Sequence, residues 1–445
     1  MSLRIYLGLL LVLSMPMAWS QVQPAAVGEP GLNDADLRMT LPPPVSGANY
    51  PSLTGDETRS NYLRGSVAVG AAYIDNAFSG EFATPLQETT ITVAPAISLD
   101  RTTPQQKENL TYSPGFTFYQ PTSELNAIDQ NADATFQYNF ARYTALQVTD
   151  GFLQTTNVLG QAGNYSVSGS TASSQLVIVP FAEQISNTVH ATFSHQYARN
   201  QMFGLAGSFS FLNFPNPSQS PGLFDSKTGR GSGFWASRAG AQHYFGVSYE
   251  YTHIIASPPQ AESATNLHAI LPFYTFYFRP TISLSLSAGT QYYGVKNSSA
   301  NSSQTSTGWT PVATASFGSQ TAHTSFNLSY LRSVTGGGGL LGAYTHDNAS
   351  LSARLQFARS WTAGLGGNYS NVAGLTPEIG TLNQGGHSIS GRGYIQRAFG
   401  EHIGAEIGYE HVHQVYGGIT VLATNPDSNR VYGNLSYQFS RPLGR

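Results

Sequence analysis

The chain has 445 residues and a formal net charge of -3, and only 10% of its residues are charged, where soluble proteins average about 25%. The near-neutral balance gives no sign of a nucleic-acid partner. The absence of cysteine excludes disulfides, thiolate catalysis, cysteine-ligated metals and a lipid-modified cysteine anchor.

Residues 1–20 read as a secretory signal, with Arg4 as the positive region, Leu7 to Leu13 as the apolar one and Ala18-Trp19-Ser20 before a cut near Gln21. That apolar run is shorter than the about 20 residues a spanning helix needs. No other stretch is long enough, so a membrane form of this chain must cross as strands. Residues 21–61 hold Pro24, Pro30, Pro42, Pro43, Pro44 and Pro51. Prolines cannot donate into a ladder, so this segment reads as an extended periplasmic tail; the other reading is a plug inside the barrel, against which stands the lack of a foldable apolar pattern.

From Tyr62 onward the pattern has period two. Ile282, Leu284, Leu286 and Ala288 alternate with polar residues, as do Trp309 to Phe317, Leu351 to Phe357 and Ile403 to Tyr409. Strands come in pairs joined by tight turns. These are expected at Phe140–Tyr143, Tyr197–Asn200, Tyr244–Gly246, Phe278–Pro280, Phe317–Gln320, Phe357–Ser360 and Ala398–Glu401, with a looser one at Asp100–Glu108. Several carry an aromatic–x–Arg signature that suits an interfacial girdle with a cation reaching the aqueous side. Long connections are expected near 74–89, 120–131, 154–187, 214–232, 257–264, 294–307, 335–347, 372–386 and 416–428.

The last strand, Val431 to Phe439, puts Val431, Gly433, Leu435, Tyr437 and Phe439 on one face and Arg430, Tyr432, Asn434, Ser436 and Gln438 on the other. A closing strand ending in an aromatic resembles that of bacterial outer-membrane β-barrels of porin-like type, although six residues follow Phe439 here. The resemblance implies an all-β fold: a transmembrane antiparallel up-and-down β-barrel over 62–445, with about 18 strands, or 16 as the runner-up. It also implies outer-membrane lipid around the belt, the barrel-assembly machinery as a partner of the C-terminal strand, and a monomer or a homotrimer. Short turns would face the periplasm and long loops the outside.

At such a strand number the interior is too wide for side chains alone to fill. A polar inner face then reads as a channel passing small hydrophilic solutes by diffusion. The inward parity collects the candidate pore-lining charges Arg64, Arg238, Glu250, Arg354, Arg392, Glu406, Glu410 and Arg430. A turn centred near Gly400 puts Arg392 opposite Gly408, with Glu406 and Glu410 diagonal to it. Arg238 and Glu250 read as diagonal across the turn near Phe245. Arg354, Arg392, Arg430 and Arg64 read as a basic arc. Such charges set ion preference in a pore or simply stiffen its wall. In general porins the third outer loop folds inward. The corresponding connection here carries Leu176, Val177, Ile178, Val179, Pro180 and Phe181, then Glu183, so it is the candidate constriction; the other reading is a strand extended beyond the membrane.

Two further readings stay open. An occluded barrel whose Gly/Ser/Asn-rich loops bind something fits the loops equally well. A hydrolase active at the rim would need a Ser–His pair held by an acid or amide, but Ser194 and His195 are strand neighbours and face opposite ways. His411 and His413 share the outward face while Glu410 points inward, which argues against a metal. Gly337 to Gly342 matches G-x-G-x-x-G without a βαβ setting, so no nucleotide cofactor is expected.

Overall fold

The computed structural model of the chain describes residues 39, 61–77, 85–156, 183–216, 223–257, 261–299, 302–335, 343–375, 385–416 and 427–442. The strands in order are β1 (Tyr62–Ile74), β2 (Glu88–Thr102), β3 (Gln106–Gln120), β4 (Ala127–Ala141), β5 (Thr144–Thr155), β6 (Gln184–Ala198), β7 (Gln201–Asn213), β8 (Asp225–Ala239) and β9 (His243–Ser257). They continue with β10 (Ala261–Arg279), β11 (Ile282–Ser299), β12 (Ser302–Gln320), β13 (Thr324–Thr335), β14 (Tyr344–Ala358), β15 (Trp361–Gly374), β16 (Gly386–Phe399), β17 (Ile403–Tyr416) and β18 (Asp427–Pro442). A 3₁₀ turn, Ser123–Leu125, sits between β3 and β4.

Each strand pairs antiparallel with its neighbours in the chain, and β1 pairs with β18, so the sheet of 18 strands closes on itself. Closure is the physical answer to the edge problem, because it gives the backbone donors and acceptors of the terminal strands a partner. At the seam Tyr62 lies opposite Pro442 and Gly65 opposite Phe439. A Cβ on Gly65 would collide with the Phe439 ring, so the missing side chain is what lets that ring lie against the seam. The strand runs on past Phe439 to Pro442.

Parity is respected around the wall. Ile407 and Trp309 are 70% and 71% exposed on the outside, with Leu205, Ile270, Leu365, Val431 and Leu435 among many others. The inside carries mostly serine, threonine, asparagine, glutamine and glycine.

Two turns lie away from their expected places. β8 and β9 are joined at 240–242, not at Tyr244–Gly246, because Gly240 takes the left-handed φ of +74° that the turn needs. β12 and β13 are joined at 321–323, not at Phe317–Gln320. There Thr321 N–H donates to the Thr324 carbonyl at 2.7 Å, and Thr324 N–H donates back to Thr321 Oγ1 at 3.0 Å. In both cases an aromatic of the outer girdle lies inside a strand and was read as the turn marker. Two expected loops are also largely strand. β10 begins at Ala261, and β11 and β12 run to Ser299 and from Ser302. Their Ser/Thr/Asn-rich tips have no apolar alternation to betray them, yet a hairpin ladder satisfies their backbone equally well.

The wall is uneven at one place. The β12–β13 ladder stops at Ala313 opposite Arg332, while β12 continues beside β11 up to Ser302. Above that point β13 leaves the wall. Val334 has outward parity, yet it is buried against the inward-facing Ile254, Leu267 and Val295 of β9–β11, together with Ala343. Its N–H donates to Gln291 Oε1 at 3.0 Å. The outer face of β13 thus lies on the inner face of its neighbours. The upper ends of β13 and β14 lean into the barrel, and Leu375 N–H ties the end of β15 to the Ala343 carbonyl at 2.9 Å.

Candidate functional site

The inner wall has two unlike sectors. On β16–β18 a row of charges is held by a tyrosine. Arg392 reaches Glu406 Oε1 at 2.8 Å and donates through Nε to Tyr432 Oη at 2.7 Å, and Tyr432 Oη donates to the same Glu406 oxygen at 3.0 Å. Arg430 reaches Glu410 at 3.6 Å. Both guanidinium carbons stand 5.2 Å from the Tyr432 ring centre. Glycines make this packing possible. A Cβ on Gly408 would meet the Tyr432 ring, and one on Gly364 would meet that of Tyr394, so both rings can lie along the wall. Glu410 is 3% exposed, and a carboxylate so deep needs the nearby guanidinium charges.

The register corrects part of the expected arrangement. The turn after β16 spans 400–402, so Arg392 lies opposite Glu410 rather than Gly408, and Glu406 lies opposite Gln396. Arg238 and Glu250 are not partners. Arg238 pairs across from Tyr244 near the turn and binds Asn200 Oδ1 through Nε and Nη2 at 3.3 and 3.2 Å. Glu250 instead pairs with Arg230 at 3.3 Å. Both errors follow from the misplaced turn centres, since a turn moved by a few residues slides every cross-strand partner. The basic arc is also broken. Arg392 and Arg430 stand together, but Arg64 lies opposite Ser440 and Arg430 opposite Ile74, which puts them at the two ends of the β1–β18 ladder. Arg354 lies opposite Gly364, two strands from Arg392.

Residues Leu176, Val177, Ile178, Val179, Pro180 and Phe181 lie outside the described residues, as does Gly337–Gly342. Glu183 is described: it accepts from Gln154 Nε2 at 2.8 Å and from Asn216 Nδ2 at 3.3 Å. The inward bend among the described residues belongs to the upper ends of β13 and β14 instead.

Several wall groups went unnoticed in the sequence. Arg230, Glu88, Asp129 and Asp133 have inward parity. Asp129 accepts from Thr155 Oγ1 at 2.6 Å and from Thr156 N–H at 3.2 Å. Asp133 accepts from Asn131 at 3.2 Å. Parity alone would have found them.

The second sector is apolar. On β7–β10, half the circumference away, Met202, Phe234, Ala236, Tyr244, Phe273 and Tyr277 face inward and pack together. Glycines serve here too. A Cβ on Gly204 would strike Phe234, and one on Gly246 would strike Phe273 and the Trp235 carbonyl. Met39, from the segment read as a periplasmic tail, is 5% exposed within this patch.

On the outer face, His413 Nδ1 lies 2.8 Å from Asp427 Oδ1, His411 Nδ1 lies 2.9 Å from Asn429 Oδ1, and the His387 and His413 rings are 5.6 Å apart. Among the described residues no group of three or more His, Asp or Glu is arranged to hold a metal. Ser194 is turned inward and buried, while His195 on the outer face meets Thr144 Oγ1 at 2.8 Å.

No family model matches the chain, and no curated protein is similar to it. Solved structures to which it is similar include the siderophore receptor PiuA from Acinetobacter baumannii, at 8% identity over 85% of this chain and 82% of that one, with a TM-score of 0.43. Another is the ferric-catecholate import receptor Fiu from E. coli K12, at 10% identity over 86% and 82%, with a TM-score of 0.41. A third is OccAB4 from Acinetobacter baumannii, at 8% identity over 86% and 99%, with a TM-score of 0.39.

Proposed function

We propose that the chain is a channel of the bacterial outer membrane that passes small hydrophilic solutes by passive diffusion. The observation that carries this reading is the sorting of side chains. A closed barrel with large apolar groups bared on its outside suits lipid, because soluble monomers rarely expose contiguous apolar patches above a few hundred Å². Its inner wall is hydroxyl- and amide-rich, with the partly exposed Arg392, Glu406 and Arg430 placing charge of both signs on the lumen side and the buried Glu410 balancing Arg430 from behind. Opposite charges on one wall give a transverse field and a modest ion preference. Purified, folded protein added to a planar bilayer should give stepwise single-channel conductance. A silent bilayer over folded protein would overturn the reading.

The inward lean of the β13 and β14 ends, with Val334 and Ala343 packed on Ile254, Leu267 and Val295, favours a second reading, a barrel narrowed to the point of occlusion that acts through its outer loops. Swelling of proteoliposomes in sugars of graded size separates the two, because an occluded barrel admits none of them.

A further inference from the structure

An apolar patch on the inner wall of a wet barrel costs free energy unless something covers it. The patch on β7–β10 is covered. Met202, Ala236 and Tyr244 are 3%, 0% and 5% exposed, and the side chain packed among them is Met39. An unbranched thioether suits an irregular aromatic socket. The backbone is held too, since Met39 N–H donates to Gln196 Oε1 at 2.7 Å in a buried bond.

Gln196 is prepared for that role. Its Nε2 donates to the Arg199 carbonyl in the turn at 3.1 Å, which turns the amide oxygen toward Met39 N–H. Gln356 makes the same bond to the Arg359 carbonyl at 3.1 Å, and there the bond lies exposed. The turn therefore supplies this glutamine geometry generally, and the apolar residues beside Gln196 make it a socket.

Reach is no obstacle. Wall diameter for 18 strands about 4.8 Å apart, tilted in the usual range, is roughly 35 Å. Residues 40–60, extended at up to about 3.3 Å each, could span roughly 70 Å.

We propose that the inner wall of β6–β10, at the end of the barrel that carries the short turns, is a docking site for the chain's own N-terminal segment, with Met39 as the anchor and Gln196 as its backbone clamp. The site takes an apolar side chain presented with a free backbone N–H.

The chain has no cysteine, so introduced pairs report cleanly. In the full-length folded protein, Met39→Cys with Met202→Cys should form an intramolecular cross-link on treatment with a short bifunctional thiol reagent, seen as a reducible or cleavable mobility shift. Met39→Cys with Asn434→Cys, on the opposite wall, should not. Equal cross-linking of both pairs, or none of the 39–202 pair, would overturn the proposal. In a second measurement, Met202→Cys is labelled by a water-soluble maleimide. Adding Met39→Asp should speed labelling about tenfold or more, as expected from losing one buried apolar side chain, equivalent to about 1.4 kcal/mol. An unchanged rate would mean that Met39 does not cover the socket. Both measurements read position rather than permeation, so they stand or fall independently of the channel reading.

Discussion

Arg392 is the residue on which the charged row turns. It meets Glu406 at 2.8 Å and Tyr432 at 2.7 Å, and it faces Glu410 across the ladder. Arg392→Ala removes one positive charge from the inner wall and leaves Glu406 without its cation. The reversal potential under a salt gradient should move toward cation preference, whereas Arg392→Lys should keep most of the native preference but lose the forked contact. Tyr432→Phe keeps the ring beneath both guanidinium groups and deletes the hydroxyl that joins Arg392 to Glu406. A loss of about 1 kcal/mol in unfolding free energy is expected, read from denaturant curves of folded protein. The pairing itself was only half legible in the sequence. Period-two parity put Arg392, Glu406, Glu410 and Arg430 on one face, but parity says nothing about height. A turn displaced from 400–402 to a centre at Gly400 was enough to assign Arg392 the wrong partner.

At the scale of the strand, glycine decides how side chains lie on the wall. Gly246 sits where any Cβ would strike the Trp235 carbonyl and the Phe273 ring. Gly246→Val should destabilise the barrel by about 1–3 kcal/mol, the usual cost of overpacking, seen as a lower guanidinium midpoint. Gly366, with open space at its Cβ position, is the matched comparison: Gly366→Ala should change stability by no more than about 0.5 kcal/mol. On the outer face, Ile407→Arg should cost about 2–4 kcal/mol if Ile407 lies at the middle of the bilayer. The same substitution at inward Ser436 should cost far less. These strands were the most legible part of the chain, because one greasy and one polar face leave few other folds open. The inward Phe234, Phe273 and Tyr277 were not legible. An aromatic in a strand looks the same whether it faces lipid or a neighbour's glycine, and only the cross-strand register tells which.

The whole molecule depends on closure. The β1–β18 ladder runs from Tyr62 opposite Pro442 to Ile74 opposite Arg430. Deleting residues 439–445 removes the seam beside Tyr62–Gly65 and should abolish the compact, heat-modifiable form in cold gel electrophoresis, where the full chain should show it. The architecture itself was read from the sequence, including the strand number, because parity and the rhythm of short turns and long loops are properties of the whole chain. The inward packing of Val334 and Ala343 and the Met39 contact were hidden for the opposite reason: each depends on a single short segment meeting a distant wall, and no local pattern announces such a meeting.

The two inner sectors stand across from each other, fixed ions on β16–β18 and aromatic surface on β7–β10. Met39 seals the aromatic sector, so the proposed channel would offer a passing molecule fixed charge on one flank and covered hydrocarbon on the other. A dipolar solute would be pulled toward β16–β18 and given a preferred heading, so two isomers of equal bulk but unequal dipole should cross at unequal speed.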